Sequence, residues 1–242
     1  MFWFKTPKIH VDCFTMFGAI AKMYPVKKAT NFYPEWWKSL SAKYELYSLN
    51  GVKHKRGTMK ICSGFLDLYQ HGLIIPMWSD LAIEMRETSY NYHIALSTSG
   101  DDLVTHPVQQ HGDSFKNLVH IKMNSPWIFE EKTGVEFLFA GCPWSTLPLI
   151  PKMHVVHGVV NYKYQTSVNI NTFWLTDNTP YTVEMEAGMP LAHVIPLSDK
   201  NAVPHIHVIS EGEYKNKARG GIATKFAGSY LSRFKKLYND GN

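Results

Sequence analysis

The sequence lacks most of what would announce a catalytic or membrane role. Its three cysteines, Cys13, Cys62 and Cys142, are scattered and form no C-x-x-C. That argues against a zinc ribbon or a disulfide framework and for small thiols in a reducing compartment. No apolar run reaches the roughly 18–20 residues that a membrane-spanning helix needs. The opening Met-Phe-Trp-Phe-Lys-Thr-Pro-Lys has no apolar core of a secretory signal. The expectation is a soluble protein made and kept inside a cell, with no membrane partner. G-x-S-x-G, a Walker loop, G-x-G-x-x-G, H-E-x-x-H and zinc-finger spacings are all missing. Charge is sparse as well. A formal net charge of +5 over 242 residues is mild. It gives weak support to nucleic acid as a partner, because such binding needs a concentrated patch.

What the chain has is apolar and aromatic substance. Hydrophobic residues make up 45% and charged ones 19%, the profile of a folded globular protein. Seven Trp, thirteen Tyr and thirteen Phe suit a β-rich core and adhesive surfaces. The length suffices to bury a large core. There is no repeat, low-complexity tract or flexible linker, so one domain over 1–242 is expected. It divides into a mixed N-terminal cap (1–72), a β core (73–210) and a C-terminal loop and helix (211–242).

In the cap, Ile9–Thr15 alternates like a strand. Lys28–Leu40 contains a helix start with Pro34 at the first helical position and Glu35 in the first turn. The adjacent Trp36 and Trp37 should face different neighbours. Gly57–Gly72 predicts a short helix stopped by Gly72. Leu73–Trp78 predicts a buried strand interrupted by Pro76 at an edge or bulge.

Strand follows strand after that: Leu81–Met85, Tyr90–Leu96, Val119–Met123, Val135–Ala140, His154–Tyr162, Ser167–Leu175, Tyr181–Glu186 and Ala192–Ile195. Turn signals at Ser99–Asp102, Asn124–Pro126, Asp177–Pro180 and Gly188–Pro190 separate them. The fold class is mainly β: an antiparallel sandwich or jelly roll, double-stranded β-helix-like, with short N-terminal helices and a C-terminal amphipathic helix. Glu211–Gly221 predicts a polar loop. Ile222–Tyr238 predicts a helix with Phe226, Tyr230 and Phe234 on one face and cations including Lys235 and Lys236 on the other. These five residues are the candidate interaction group.

Twelve histidines are many. His111-Gly112-Asp113 with a distal His157 or His193 has the composition of a facial triad for Fe2+. The metal alternative is therefore His111, Asp113 and His193, serving an iron/2-oxoglutarate-type oxygenase on a double-stranded β-helix core. The cosubstrate would need a nearby cation, and only Lys163 or Lys200 follows the distal histidine. His205 and His207 alternate and share a strand face. His154 and His157 should face opposite sides. No catalytic residue and no resident cofactor are assigned.

Three blocks carry a resemblance. SPWIFEEKTGVEFLFAG (125–141), Gly158–Trp174 and EAGMPLAHVIPL (186–197), with Pro34-Glu35-Trp36-Trp37-Lys38, resemble a family of tailed-bacteriophage and bacterial proteins that has no established reaction. The resemblance implies a cupin-like or jelly-roll core. It also implies a non-enzymatic phage structural or interaction protein made in the host cytoplasm, either a virion component or an infection-stage protein. The partners it implies are further copies or other phage proteins. Gly158-Val159-Val160-Asn161 with Tyr164 is also similar to dUTPase-like enzymes. Asn161 replaces the carboxylate there, which implies a degenerate nucleotide binder at most.

Overall fold

The structure is a computed structural model, and it describes residues 7–87, 89–107, 115, 117–145, 152–176 and 179–226, with side chains up to 218. The chain opens with β1 (Lys8–Thr15), α1 (Gly18–Met23), β2 (Lys27–Lys28) and α2 (Glu35–Ser39). It continues through β3 (Lys43–Tyr47), β4 (Lys53–Gly57), α3 (Ser63–His71) and β5 (Leu73–Pro76). Then come β6 (Leu81–Met85), β7 (Tyr90–Ile94), β8 (Leu103–Thr105), β9 (Leu118–Glu131) and β10 (Glu136–Gly141). The last elements are β11 (Met153–Val155), β12 (Gly158–Asn161), β13 (Ser167–Leu175), β14 (Tyr181–Met185), β15 (Pro190–Pro196), β16 (Asn201–Val208) and α4 (Glu211–Phe226).

The protein is mainly β, as its composition indicated. A six-stranded sheet runs β11-β13-β9-β1-β16, with β8 also on β9. A five-stranded sheet runs β12-β10-β15-β5-β2, a three-stranded one β14-β6-β7, and among the described residues β3 pairs only with β4. Pairing among the described strands is antiparallel except for β1 and β16, which run parallel with Lys8 opposite Asn201. One apolar core draws on the three larger sheets: Val11, Phe129 and Trp174 from the first, Ile75, Phe137 and Val194 from the second, Ile83 and Val183 from the third.

Within the five-stranded sheet β5 is covered on both faces, and this explains its apolar run. Leu73 and Ile75 of β5 face the main core, while Ile74 joins a second cluster with Phe65 and Tyr69 of α3. Pro76 ends β5 beyond the reach of β2, which pairs only with Leu73 and Ile74. The Pro190 end of β15 meets it there.

Several expectations change. The strand expected at Ile9–Thr15 is present as β1, and what differs is its place, between β9 and β16. The segment 57–72 is two pieces, a 3-10 turn at Met59–Ile61 and then α3. Pro34 caps α2 from outside rather than starting it. Both Trp36 and Trp37 reach the same Phe65, with ring centres 5.9 and 5.6 Å away. The turn signal Asn124–Pro126 lies inside β9, at a register shift against β13 where β9 passes from β8 to β1. A proline without a donor is tolerated at such an irregularity. Gly188 does lie in a turn between β14 and β15, with φ +89°.

The C-terminal difference has a clear cause. Residues 211–221 are helical, not a loop. Ser210 and Glu213 form a capping box: the Glu213 carboxylate accepts from the Ser210 N–H at 2.9 Å, and the Glu213 N–H donates to the Ser210 hydroxyl at 3.3 Å. The helix therefore starts eleven residues before the apolar periodicity that suggested it.

Candidate interaction surfaces

The proposed iron ligands divide between described and undescribed parts. His111 and Asp113 lie outside the described residues. His193 sits on β15, buried, with its ring 5.9 Å from Tyr69 of α3. Its Nε2 has no hydrogen-bond partner. A Cβ on Gly72 would lie 2.1 Å from that atom, so Gly72 is small because His193 fills the space beneath α3. Its φ of −98° shows that it ends α3 without a left-handed turn. Burial pushes the His193 imidazole down to about 4, keeping it neutral at physiological pH. Among the described residues no group of three His, Cys, Asp or Glu side chains is placed to hold a metal.

Of the interaction group, Phe226 is the last residue of α4 and its side chain is not described. Tyr230, Phe234, Lys235 and Lys236 lie outside the described residues. The part of α4 that is described docks through other residues. Burial raises the Tyr214 hydroxyl above its ordinary value. Lys217 Nζ lies 2.8 Å from Glu130 of β9 and 4.0 Å from the ring centre of Phe14 on β1.

His205 and His207 share a face of β16, as their spacing predicts, and that face meets β1. The nearest ring nitrogens of His10 and His205 are 2.7 Å apart, and His207 Nε2 is 2.8 Å from Asp12. The sequence could not reveal this strip, because its partners lie 195 residues apart. His154 and His157 do contact, with ring centres at 5.2 Å. The extended strand stops at Val155, so alternation no longer separates them.

The buried carboxylates are occupied by loops. Glu131 accepts from the backbone N–H groups of Thr133, Gly134 and Val135 and from the Thr133 hydroxyl. Asp102 accepts from Ser97, Thr98 and Ser99. Asn161, in the dUTPase-like block, donates to Gly134 O at 2.9 Å and accepts from the Lys163 N–H at 3.1 Å. None of the three presents a free polar group to a substrate.

Two surface features remain. A cleft of about 570 Å³ lies beside α2, walled by Phe32, Trp36 and Trp144 with Asn31 and Ser145 at its margins. Trp36 Nε1 donates to Trp144 O at 2.9 Å and pins one wall. The second feature is the β3–β4 hairpin. Every residue of both strands is exposed. Tyr44 stands opposite Arg56 and Leu46 opposite His54 on one face; Glu45 opposite Lys55 and Tyr47 opposite Lys53 on the other. Gly51, at φ +78°, turns the tip. Its N–H donates to Ser48 O at 2.9 Å and the Ser48 N–H to Val52 O at 2.9 Å. The tip is therefore built, and it holds Leu49 and Val52 at 111% and 50% exposure, with Leu46 of β3 beside it at 49%. No helix among the described residues is long and apolar enough to cross a membrane.

Neither a protein-family model nor a curated protein matches the chain.

Proposed function

We propose that the protein is a non-enzymatic interaction protein of the tailed-phage kind, a jelly-roll-like β scaffold that docks on a larger assembly through an appended arm. The observation that carries this reading is the β3–β4 hairpin. Among the described residues it pairs with no other strand, and it leaves apolar side chains in water at its tip. An isolated two-stranded hairpin gains little stability by itself. Exposed apolar groups held on an ordered turn suit contact with a second molecule. The buried carboxylates, each consumed by a neighbouring loop, agree with a scaffold rather than with acid–base chemistry. The phage setting rests on the resemblance of the 125–141, 158–174 and 186–197 blocks, and with it goes synthesis in the host cytoplasm, for a role in infection or in the virion.

Excision tests the reading. The Thr58 N–H donates to Ala42 O at 3.0 Å, so the chain ends flanking the hairpin already touch. Replacing 43–57 by Gly-Gly should leave circular dichroism and melting temperature unchanged. It should abolish association of the full chain in sedimentation velocity at rising concentration or with a docking partner. An excised chain that melts well below the parent would make the hairpin part of the fold and overturn the reading.

A further inference from the structure

We infer that the docking partner of the β3–β4 arm is duplex DNA, with the arm lying in the major groove. This rests on the reading of the hairpin as the docking element. The argument begins with charge. Lys43, Lys53, Lys55 and Arg56 against the single Glu45 give the hairpin +3 of the chain's +5. Residues 211–242 carry a further +4, seven Lys and Arg against three acids, so the hairpin is one of two basic segments, and it is the one whose strands the structure describes in full. Glu45 is itself neutralised by Lys53, 2.6 Å away. No acidic residue occupies the tip, Ser48–Val52.

The distribution of that charge selects the partner. Arg56 and His54 project from one face of the ribbon and Lys53 and Lys55 from the other. A ribbon pressed on a protein surface would use one face or one edge. A ribbon in a groove meets a wall of phosphates on each side, and cations on both faces then find partners. The major groove of B-form DNA is wide enough for a two-stranded ribbon, whereas that of A-form RNA is too narrow.

The apolar tip fits the same site. The major-groove floor of A·T pairs carries the thymine methyl, a contact that apolar side chains make there. Leu49, fully exposed at the end of an ordered turn, is the residue placed to make it. Tyr44 and Tyr47, one on each face, add phenolic donors at the level of the cations.

The test uses the full chain and a fluorescent 20-base-pair A·T-rich duplex, read by anisotropy. With Lys53 held by Glu45, the three cations Lys43, Lys55 and Arg56 on phosphates predict a loss of roughly 40-fold in affinity between 50 and 200 mM salt. Lys53→Gln/Lys55→Gln/Arg56→Gln, which leaves Lys43, should weaken binding at least about 10-fold at 50 mM and reduce the salt slope to about −1. Replacing thymine by deoxyuridine should weaken the parent about 3-fold or more and leave Leu49→Ser unaffected, because the methyl contact is already lost. The variants alter only exposed side chains, and circular dichroism checks their fold. The inference is overturned if the parent does not bind, if the triple variant binds equally, or if duplex RNA binds as tightly. Should the triple variant change sedimentation while the parent ignores DNA, the partner is an acidic protein surface: the inference falls and the docking reading stands. If the excised chain associates and binds DNA like the parent, both fall.

Discussion

The five-stranded sheet and the β3–β4 hairpin are made by the same antiparallel pairing, yet they differ in what pairing secures. In the sheet every residue of β5 is buried, between the main core and α3. In the hairpin every strand residue meets water. Hydrogen bonds between strands contribute only modestly in net terms, since water competes for the same groups. Burial of apolar area makes the sheet part of a cooperative unit. The hairpin is held locally, by its turn and by an exposed ion pair worth little. Substitutions should therefore be costly for folding in one region and nearly silent in the other.

The largest contrast with the hairpin lies at Trp174 of β13, in the six-stranded sheet that shares the main core with the five-stranded one. It is fully buried, and its indole N–H donates to the Thr172 hydroxyl at 2.8 Å. That hydroxyl donates in turn to Ile121 O on β9 at 2.8 Å. Trp174→Ala should cost about 3–5 kcal/mol in urea unfolding, through a cavity and the loss of a buried hydrogen bond. A loss below about 1 kcal/mol would mean that the core relaxes around the gap and would break the comparison.

Next is pH. The His193 imidazole titrates near 6.5 in an unfolded chain and at about 4 in the buried site. Between those values the unfolded state takes up a proton that the folded state refuses. Stability is therefore fully present above about pH 6.5 and falls as pH drops toward 4, by about 3 kcal/mol in all. Urea unfolding at pH 7 and pH 4.5 checks this, and His193→Gln should flatten the difference. Equal pH dependence in the parent and in His193→Gln would show that water or a partner reaches the ring.

The two regions also differ in how legible they are in the sequence. Leu73–Pro76 announces itself, because burial on both faces demands an unbroken apolar run. Ser167–Leu175 shows clean alternation, because one face meets the core. The hairpin has no core to satisfy, so hydrophobic patterning is silent there. Its only signal is local: Asn50-Gly51, a dipeptide that favours a hairpin turn. The hairpin's charge is equally hidden by the net value, which averages the basic segments 43–57 and 211–242 with a net acidic remainder. At the C-terminus the apolar spacing after 222 drew the helix start too late, while the Ser210–Glu213 box gave its true beginning. The strip of His10, Asp12, His205 and His207 could not be read at all, since it depends on a parallel pairing of the first and last strands.

The smallest expected effect is the sharpest probe of the contrast. Leu49 is the most exposed large apolar residue among those described. The bonds that shape its turn come from the Ser48 and Gly51 backbone and from the Asn50 side chain, none of which involves Leu49. Leu49→Ser should therefore change stability by no more than about 0.5 kcal/mol in urea unfolding, as for a surface site without packing or caps. The outcome to look for against this is a loss above about 1 kcal/mol in dilute protein. It would mean that Leu49 is covered in solution, with the arm folded back on the scaffold or lodged in another copy. A silent substitution would leave Leu49 outside the forces that hold the fold, as a side chain whose exposure is explained only by something that binds it.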